Sequence, residues 1–297
     1  MIYVRVPATS ANLGPGFDCF GLALTLYGHL GFEEIESGLE FENVEEKYCN
    51  EDNLAVKAYF RALSEMSLPR RGLRVAIYSD IPPCSGLGSS ASLLAAGLVA
   101  ANAAHGNPLD SAVLLRLATE MEGHPDNVAP ALLGGMTASI MDGSNVLSLN
   151  CPLSQKLRFM VLVPDFELST QKARAALPKQ VALTDATFNV SRAAVLLRAL
   201  EKGDMAAIGV AMNDRLHQPY RANLIDEYDD VRRLALQSGA AAFCISGAGP
   251  TLMCVYEENR EFEEKMAQGL RKMKNHWRAL ALKPDMVGAV VEGEERP

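Results

Sequence analysis

The stretch PPCSGLGSSAS, residues 82–92, joins the strand-like run GLRVAIYSDI (72–81) to SASLLAAGLVAANAAH (90–105), a helix-forming segment without a single charge. A helix built from Ala and Leu with no polar face has to be buried on most sides. Its start is the opposite, polar and glycine-rich, and the first four amides of any helix lack an intrahelical partner. Gly86 and Gly88 can take positive φ without steric cost, so successive N–H groups can point into one concavity. Together with the positive end of the helix dipole, such a concavity suits an anion, phosphate above all. Ser89 and Ser90 can cap the helix, or a serine hydroxyl can turn to ligate Mg²⁺ beside the phosphate. The same residues also read as a Gly-Ser turn that only caps a buried helix. The apolar helix behind the turn favours the anion, because something must satisfy its first amides. The pattern is neither a Walker A loop, since the G-K-[S/T] ending is missing, nor a full G-x-G-x-x-G, since Ala91 stands where the third glycine would be.

Outward from this junction, helices and strands alternate loosely. IYVRV (2–6) and LALTLYGHLGFEEIE read as strands, separated by the turn-rich PATSANLGPGFDCFG (7–21). NLAVKAYFRALSEM (53–66) has helical spacing. After Gly106, Asn107 is expected to cap the next helix, with Pro108 in its first turn. HPDNVAPALLGG and the alternating strand MTASIM follow. The pattern relaxes around Asn150–Ser154, which places a domain boundary there: residues 1–152 and 153–297. The second half reads as a strand at LRFMVLV, helices near 171–177, 186–202, 204–215 and 226–238, and strands at AAFCIS and TLMCVY. A helix over 258–274 and a final strand near DMVGAVVE end the chain. Several strands read as adjacent antiparallel members, so the class is α+β rather than a doubly wound sheet.

The chain has 297 residues, long enough for two domains in contact, and a net charge of −8. Nucleic acid is not expected as a partner, because the only basic block, RKMKNHWR, reads as the solvated face and last turn of a helix. No apolar run approaches the roughly 18 residues of a membrane span, and the N-terminus does not read as a signal peptide. None of the six cysteines forms a C-x-x-C pair or stands at zinc-ligand spacing from a histidine. Reduced thiols and a cytoplasmic location are the expectation. Cys84 reads as a small loop residue rather than a nucleophile.

Two further glycine-bearing loops are TSANLGPGFD (9–18) and SGAGPT (246–251), each unremarkable alone as a tight turn. At the three loops together the sequence resembles the GHMP kinases, the superfamily of galactokinase, homoserine kinase, mevalonate kinase and phosphomevalonate kinase. The motifs come in the expected order and span nearly the whole chain. PPCSGLGSSAS resembles the phosphate-binding loop and SGAGPT the C-terminal glycine loop. PATSANLGPGFDCFGLAL and EGHPDNVAPALLGG resemble the homoserine kinase branch. The resemblance implies a two-domain GHMP kinase fold: an N-terminal domain like ribosomal protein S5 domain 2 and a ferredoxin-like C-terminal domain, with the active site between them. It implies transfer of the ATP γ-phosphoryl group to the side-chain hydroxyl of L-homoserine, giving O-phospho-L-homoserine, the precursor of threonine. It also carries a homodimer as an expectation.

By the same resemblance, Pro83, Cys84, Ser85, Gly86, Leu87, Gly88, Ser89, Ser90 and Ala91 would cradle the triphosphate, and Asn53 would contact the adenine unless it only caps the helix after it. Ser90 and Glu120 would hold Mg²⁺, with Glu122 as the alternative carboxylate. Arg174 and Arg221 would hold the amino-acid carboxylate and Asp18 its ammonium group. Asn12, His124, Asn127 and Gly247 would complete the substrate pocket. Asp126 invites the role of base, but in homoserine kinases the matching position resembles Asn127, which cannot act as one. No essential side-chain base is therefore expected, with Asn127 or Thr170 orienting the hydroxyl. Two rival functions remain at this point: a GHMP kinase for an isoprenoid or sugar alcohol, in which Asp18 and the two arginines have no work, and a non-catalytic sensor of ATP or an amino acid.

Overall fold

The structure, a computed structural model, describes residues 1–293. The first half runs β1 (Ile2–Ala11), β2 (Phe20–Ile35), β3 (Leu39–Glu42), α1 (Leu54–Glu65), β4 (Gly72–Ser79), α2 (Ser89–Ala104), α3 (Ser111–Glu122), α4 (Pro125–Leu133), β5 (Met136–Asp142) and β6 (Asn145–Cys151). The second runs β7 (Leu157–Pro164), α5 (Thr170–Ala175), α6 (Leu183–Lys202), α7 (Met205–Ala211), α8 (Gln218–Arg221), α9 (Tyr228–Ser238), β8 (Ala242–Ile245), β9 (Leu252–Glu257), α10 (Arg260–Leu270), β10 (Trp277–Leu282) and β11 (Val290–Gly293). Two sheets result among the described residues. One has the order β11-β1-β2-β4-β3, with the β5–β6 hairpin joined to β2; the other has the order β10-β7-β9-β8. Pairing is antiparallel except between β3 and β4. This is the two-domain α+β arrangement expected.

Alternation places Val4 and Val6 of β1, Leu30 and Phe32 of β2 and Leu73 and Val75 of β4 in one core with α1 to α4. At its centre is α2. Gly97 lets α1 approach so closely that a Cβ there would run into the Ala55 carbonyl and stand 2.8 Å from the Ala58 Cβ. The second sheet buries Met160, Ile245, Leu252 and Cys254 beneath α9 and α10. Its opposite face, with Phe159, Val161, Met253 and Val255, packs with α6 and α7 and with Leu13, Phe20, Leu22 and Leu87 from the first half. The two halves therefore share a core, and the loops at its edge form one cleft.

Several local expectations need correcting. Asn107 does not cap α3. It sits in a left-handed turn, and Asp110 is the cap, its carboxylate accepting from the Val113 amide at 2.9 Å. HPDNVAPALL forms a helix despite its two prolines, because Pro125 occupies the first turn, where no amide is needed. The run RKMKNHWR is not a helix end. α10 stops at Leu270, Trp277 opens β10 with its ring buried, and the Trp277 indole donates to Glu227 at 3.2 Å. The sheet changes between Cys151 and Leu157, and β11 returns to pair with β1. Residues 290–293 thus belong to the first sheet, and 294–297 lie outside the described residues.

Candidate active site

The quoted loop forms the floor of a cavity of about 540 Å³ between the two halves. Gly88 has φ 69° at the start of α2, and no side chain caps the helix amides behind it. A Cβ on Gly88 would collide with the Thr9 hydroxyl and stand 3.3 Å from Asn127 Oδ1, so only glycine fits. The loop is pinned by two segments, 9–12 and 246–251. Thr9 N donates to Leu87 O at 3.0 Å, Thr251 N to Ser85 O at 3.0 Å, and Ser246 Oγ to Gly86 O at 2.7 Å. Pro83, Cys84, Ser85, Gly86, Gly88, Ser89 and Ser90 line the cavity, whereas Leu87 and Ala91 bury their side chains in the core and can offer only backbone. An uncapped helix start facing a cavity through a glycine turn has the geometry that suits an anion.

Asn53 also lines the cavity, but both ends of its amide are engaged: the carbonyl accepts from Ala55 N at 3.0 Å and the amide donates to Tyr48 O at 3.1 Å. Its structural work is to cap α1.

The two candidate carboxylates separate cleanly. Glu120 does not line the cavity. It lies in a cluster with Arg116, at 2.6 Å, and Arg61, at 3.1 Å, and these arginines also hold Glu65. Their hydrogen bonds keep its carboxyl low against the opposing effect of desolvation. Glu122 lines the cavity, and its Oε2 accepts from Ser90 Oγ at 2.6 Å. Glu120 therefore gives way to Glu122 as the partner of Ser90. Helical spacing carried the signal: Glu122 continues the buried stripe of Leu115, Ala118 and Thr119, whereas Glu120 stands one turn beyond Arg116.

The opposite wall gathers residues from four segments. Asn12, in a left-handed conformation after β1, accepts from Asp18 N at 3.0 Å and donates to Gly247 O at 2.8 Å. Asp18 is gripped by Arg174 through two bonds of 3.2 and 2.6 Å. Burial raises its carboxyl above the usual range, and the guanidinium opposes that rise. Arg221 lines the same space yet is 2% exposed, with Nη1 donating to Gly247 O at 2.9 Å. Burial makes its cationic form less favourable, and Asp18 restores part of it. Thr170, at the start of α5, also lines the cavity.

Between cradle and wall, His124 Nδ1 lies 2.6 Å from Asp126 Oδ1, and that bond raises the imidazole pKa. Thr9 Oγ1 donates to Asn127 Oδ1 at 2.8 Å, so the amide nitrogen of Asn127 is the end left for a ligand or for Asp126, 3.5 Å away. Nothing in the sequence marks Thr9, one threonine in a turn-rich segment. Nor does it mark His217 and Asp214; neither lines the cavity, and both are fully buried behind Arg221.

Comparison with known proteins fits this geometry. Residues 53–135 match the GHMP kinases N terminal domain and residues 196–277 the GHMP kinases C terminal domain. A homoserine kinase from Clostridium botulinum strain Okra is 45% identical over 296 residues, covering 99% of this chain and 100% of its own. One from strain ATCC 19397 is 46% identical over 292 residues, 98% of each. The crystal structure of homoserine kinase from Cytophaga hutchinsonii superposes with a TM-score of 0.88 at 28% identity, over 98% of this chain and 96% of that one. The chain belongs to the homoserine kinase family of the GHMP kinases.

Proposed function

We infer that this cavity transfers the γ-phosphoryl group of ATP to the side-chain hydroxyl of L-homoserine. The observation that carries the reading is the pairing of an anion cradle with a zwitterion site across one cleft: the α2 amides on one side, Asp18, Arg174 and Arg221 on the other. A sugar has no charged group for one carboxylate and two guanidiniums, and mevalonate, with a carboxylate but no ammonium, has none for Asp18. An α-amino acid uses all three, and its ammonium and carboxylate can replace the partners that Asp18 and Arg174 now are to each other.

Phosphoryl transfer needs positioning and charge neutralisation more than covalent help. The loop from Ser85 to Ser90 would hold the phosphates through backbone amides. Ser90 and Glu122 fit Mg²⁺, because a hydroxyl and a carboxylate converging at a helix start are the hard oxygen donors that this cation takes. Once bound, Mg²⁺ would supply neutralising charge to the phosphate oxygens. Asn127, its carbonyl fixed by Thr9, keeps its amide nitrogen for the acceptor hydroxyl, and Thr170 lines the same cavity. Asp126 is committed to His124 and Asn127. We therefore assign no essential base; the hydroxyl proton passes to a phosphate oxygen or to solvent.

The test is ADP release with Mg·ATP and L-homoserine, L-threonine, mevalonate or galactose in parallel. Release dependent on L-homoserine, with O-phosphohomoserine as product, is expected. Turnover with galactose alone removes the assigned roles of Asp18, Arg174 and Arg221, and turnover with mevalonate alone removes that of Asp18. ATP binding without turnover would make the protein a sensor. For the proton, Asp126→Asn should lower kcat by less than ~10³-fold, since general base catalysis is worth about 10²–10⁴; a larger loss without a binding defect makes Asp126 the base.

A further inference from the structure

We propose that His217 is a positioning residue for Arg221, turning the guanidinium so that its Nη2 corner is the one offered to the amino-acid carboxylate. The inference rests on the reading of Arg221 as a carboxylate ligand. His217 is wholly buried, and its ring is the only side-chain acceptor that Arg221 meets among the described hydrogen bonds. Nε2 lies 2.8 Å from the Gly14 carbonyl. A carbonyl can only accept, so Nε2 carries the proton and Nδ1 is left as a bare acceptor. Nδ1 stands 3.3 Å from Arg221 Nη1, whose other proton goes to Gly247 O. Both protons of Nη1 are thereby used inside the protein. Nε has no partner but is shielded from any ligand, so Nη2, which neither His217 nor Gly247 engages, is the nitrogen left for the carboxylate.

The imidazole is itself held tightly. Asp214 accepts from the amides of Leu216, His217 and Gln218 and from Asn189 Nδ2 at 2.7–3.0 Å, fixing the start of α8. The Phe17 ring stacks on His217 at 5.2 Å and lies 5.3 Å from the Arg221 guanidinium, so one ring backs both. The charged groups around His217 are Asp214, with Oδ2 3.7 Å from Nε2, then Arg221, and Asp126 farther off. Burial holds the imidazole pKa below its usual value, against the pull of Asp214. A proton on Nδ1 would face a guanidinium donor and find no acceptor. Only the neutral ring can do this work.

The test separates binding of the two substrates. His217→Phe keeps an aromatic ring against Phe17 and deletes the acceptor. We expect the KM for L-homoserine to rise at least tenfold, with kcat and the KM for ATP within threefold. His217→Gln, which can accept from Arg221, should bring that KM back toward the native value. In an Arg221→Ala background, where KM is already raised, His217→Phe should add less than twofold, because coupled residues are not additive. If Arg221→Ala raises the KM and His217→Phe does not, or if the two effects add fully, the inference is overturned and the carboxylate reading stands. If Arg221→Ala leaves the KM unchanged, that reading itself fails. Imidazole ¹⁵N shifts of the native protein need no variant to fold: an Nε2–H tautomer supports the assignment and an Nδ1–H tautomer overturns it.

Discussion

Glu120 and Glu122 are two positions apart and face different sides of α3. Glu122→Gln should lower kcat by at least ~10²-fold, measured as ADP release, because it removes the one carboxylate beside Ser90. Glu120→Gln should leave kcat within twofold and cost about 1 kcal/mol or less in a urea melt, the usual worth of a half-exposed ion-pair cluster. Two histidines should also be separable by pH. The raised pKa of His124 gives stability that is complete below the unfolded value of about 6.5 and is lost as pH rises through the folded value. His217 works the other way. Its folded pKa is lowered, so below about pH 6.5 the unfolded chain binds a proton that the folded chain refuses, and stability falls by up to about 1.4 kcal/mol per pH unit. His217→Gln should flatten that acid limb; an unchanged slope in equilibrium melts at pH 5–7 means that His217 is not held neutral. Residues in glycine-rich motifs were legible in the sequence because their residue types are constrained by backbone and charge. Thr9 and His217 were not, since each acts through a neighbour that only the fold supplies.

Element by element, legibility followed polarity pattern. α2 announced itself because sixteen residues without a charge have one home, the interior. Its packing makes a sharp prediction: Gly97→Ala should cost about 1–3 kcal/mol by thermal or urea unfolding, since the added methyl meets the backbone of α1 rather than a side chain that can move. α4 was hidden by its prolines. Pro130 sits inside the helix, which sequence rules penalise, and the tertiary packing of Val128, Ala129 and Ala131 overrides the penalty. β10 was hidden by charge: Arg271, Lys272, Lys274 and His276 are exposed, as their types suggest, but Trp277 reverses the chain into a sheet edge. A buried tryptophan among basic residues was the available clue.

On the scale of the whole molecule, the chain crosses between sheets twice, and the second crossing has no signature in composition. After β10, Asp285 accepts from Tyr27 Oη at 3.0 Å and from the amides of Val287 and Gly288, and its own amide donates to Ala23 O. The closing strand then pairs with β1. Removing residues from Asp285 onward should destabilise the first sheet, not only the last strand, by about 3 kcal/mol or more. Hydrogen exchange should then speed up in β1 and β2; unchanged protection there would mean that the tail is an ornament.

The stitches beneath the phosphate loop have a mechanical consequence. Segments 9–12, 85–88 and 246–251 are tied to one another through Thr9–Leu87, Gly247–Ala11, Ser246–Gly86 and Thr251–Ser85. A vice whose jaws share a bolted bed cannot open by swinging them apart, so its gape is a constant of the frame. Traffic in and out must then pass the other walls of the cavity, among them residues 43–54 and 170–174. Small-angle scattering should therefore record the same radius of gyration with and without Mg·ATP and L-homoserine, while hydrogen exchange slows along those two segments.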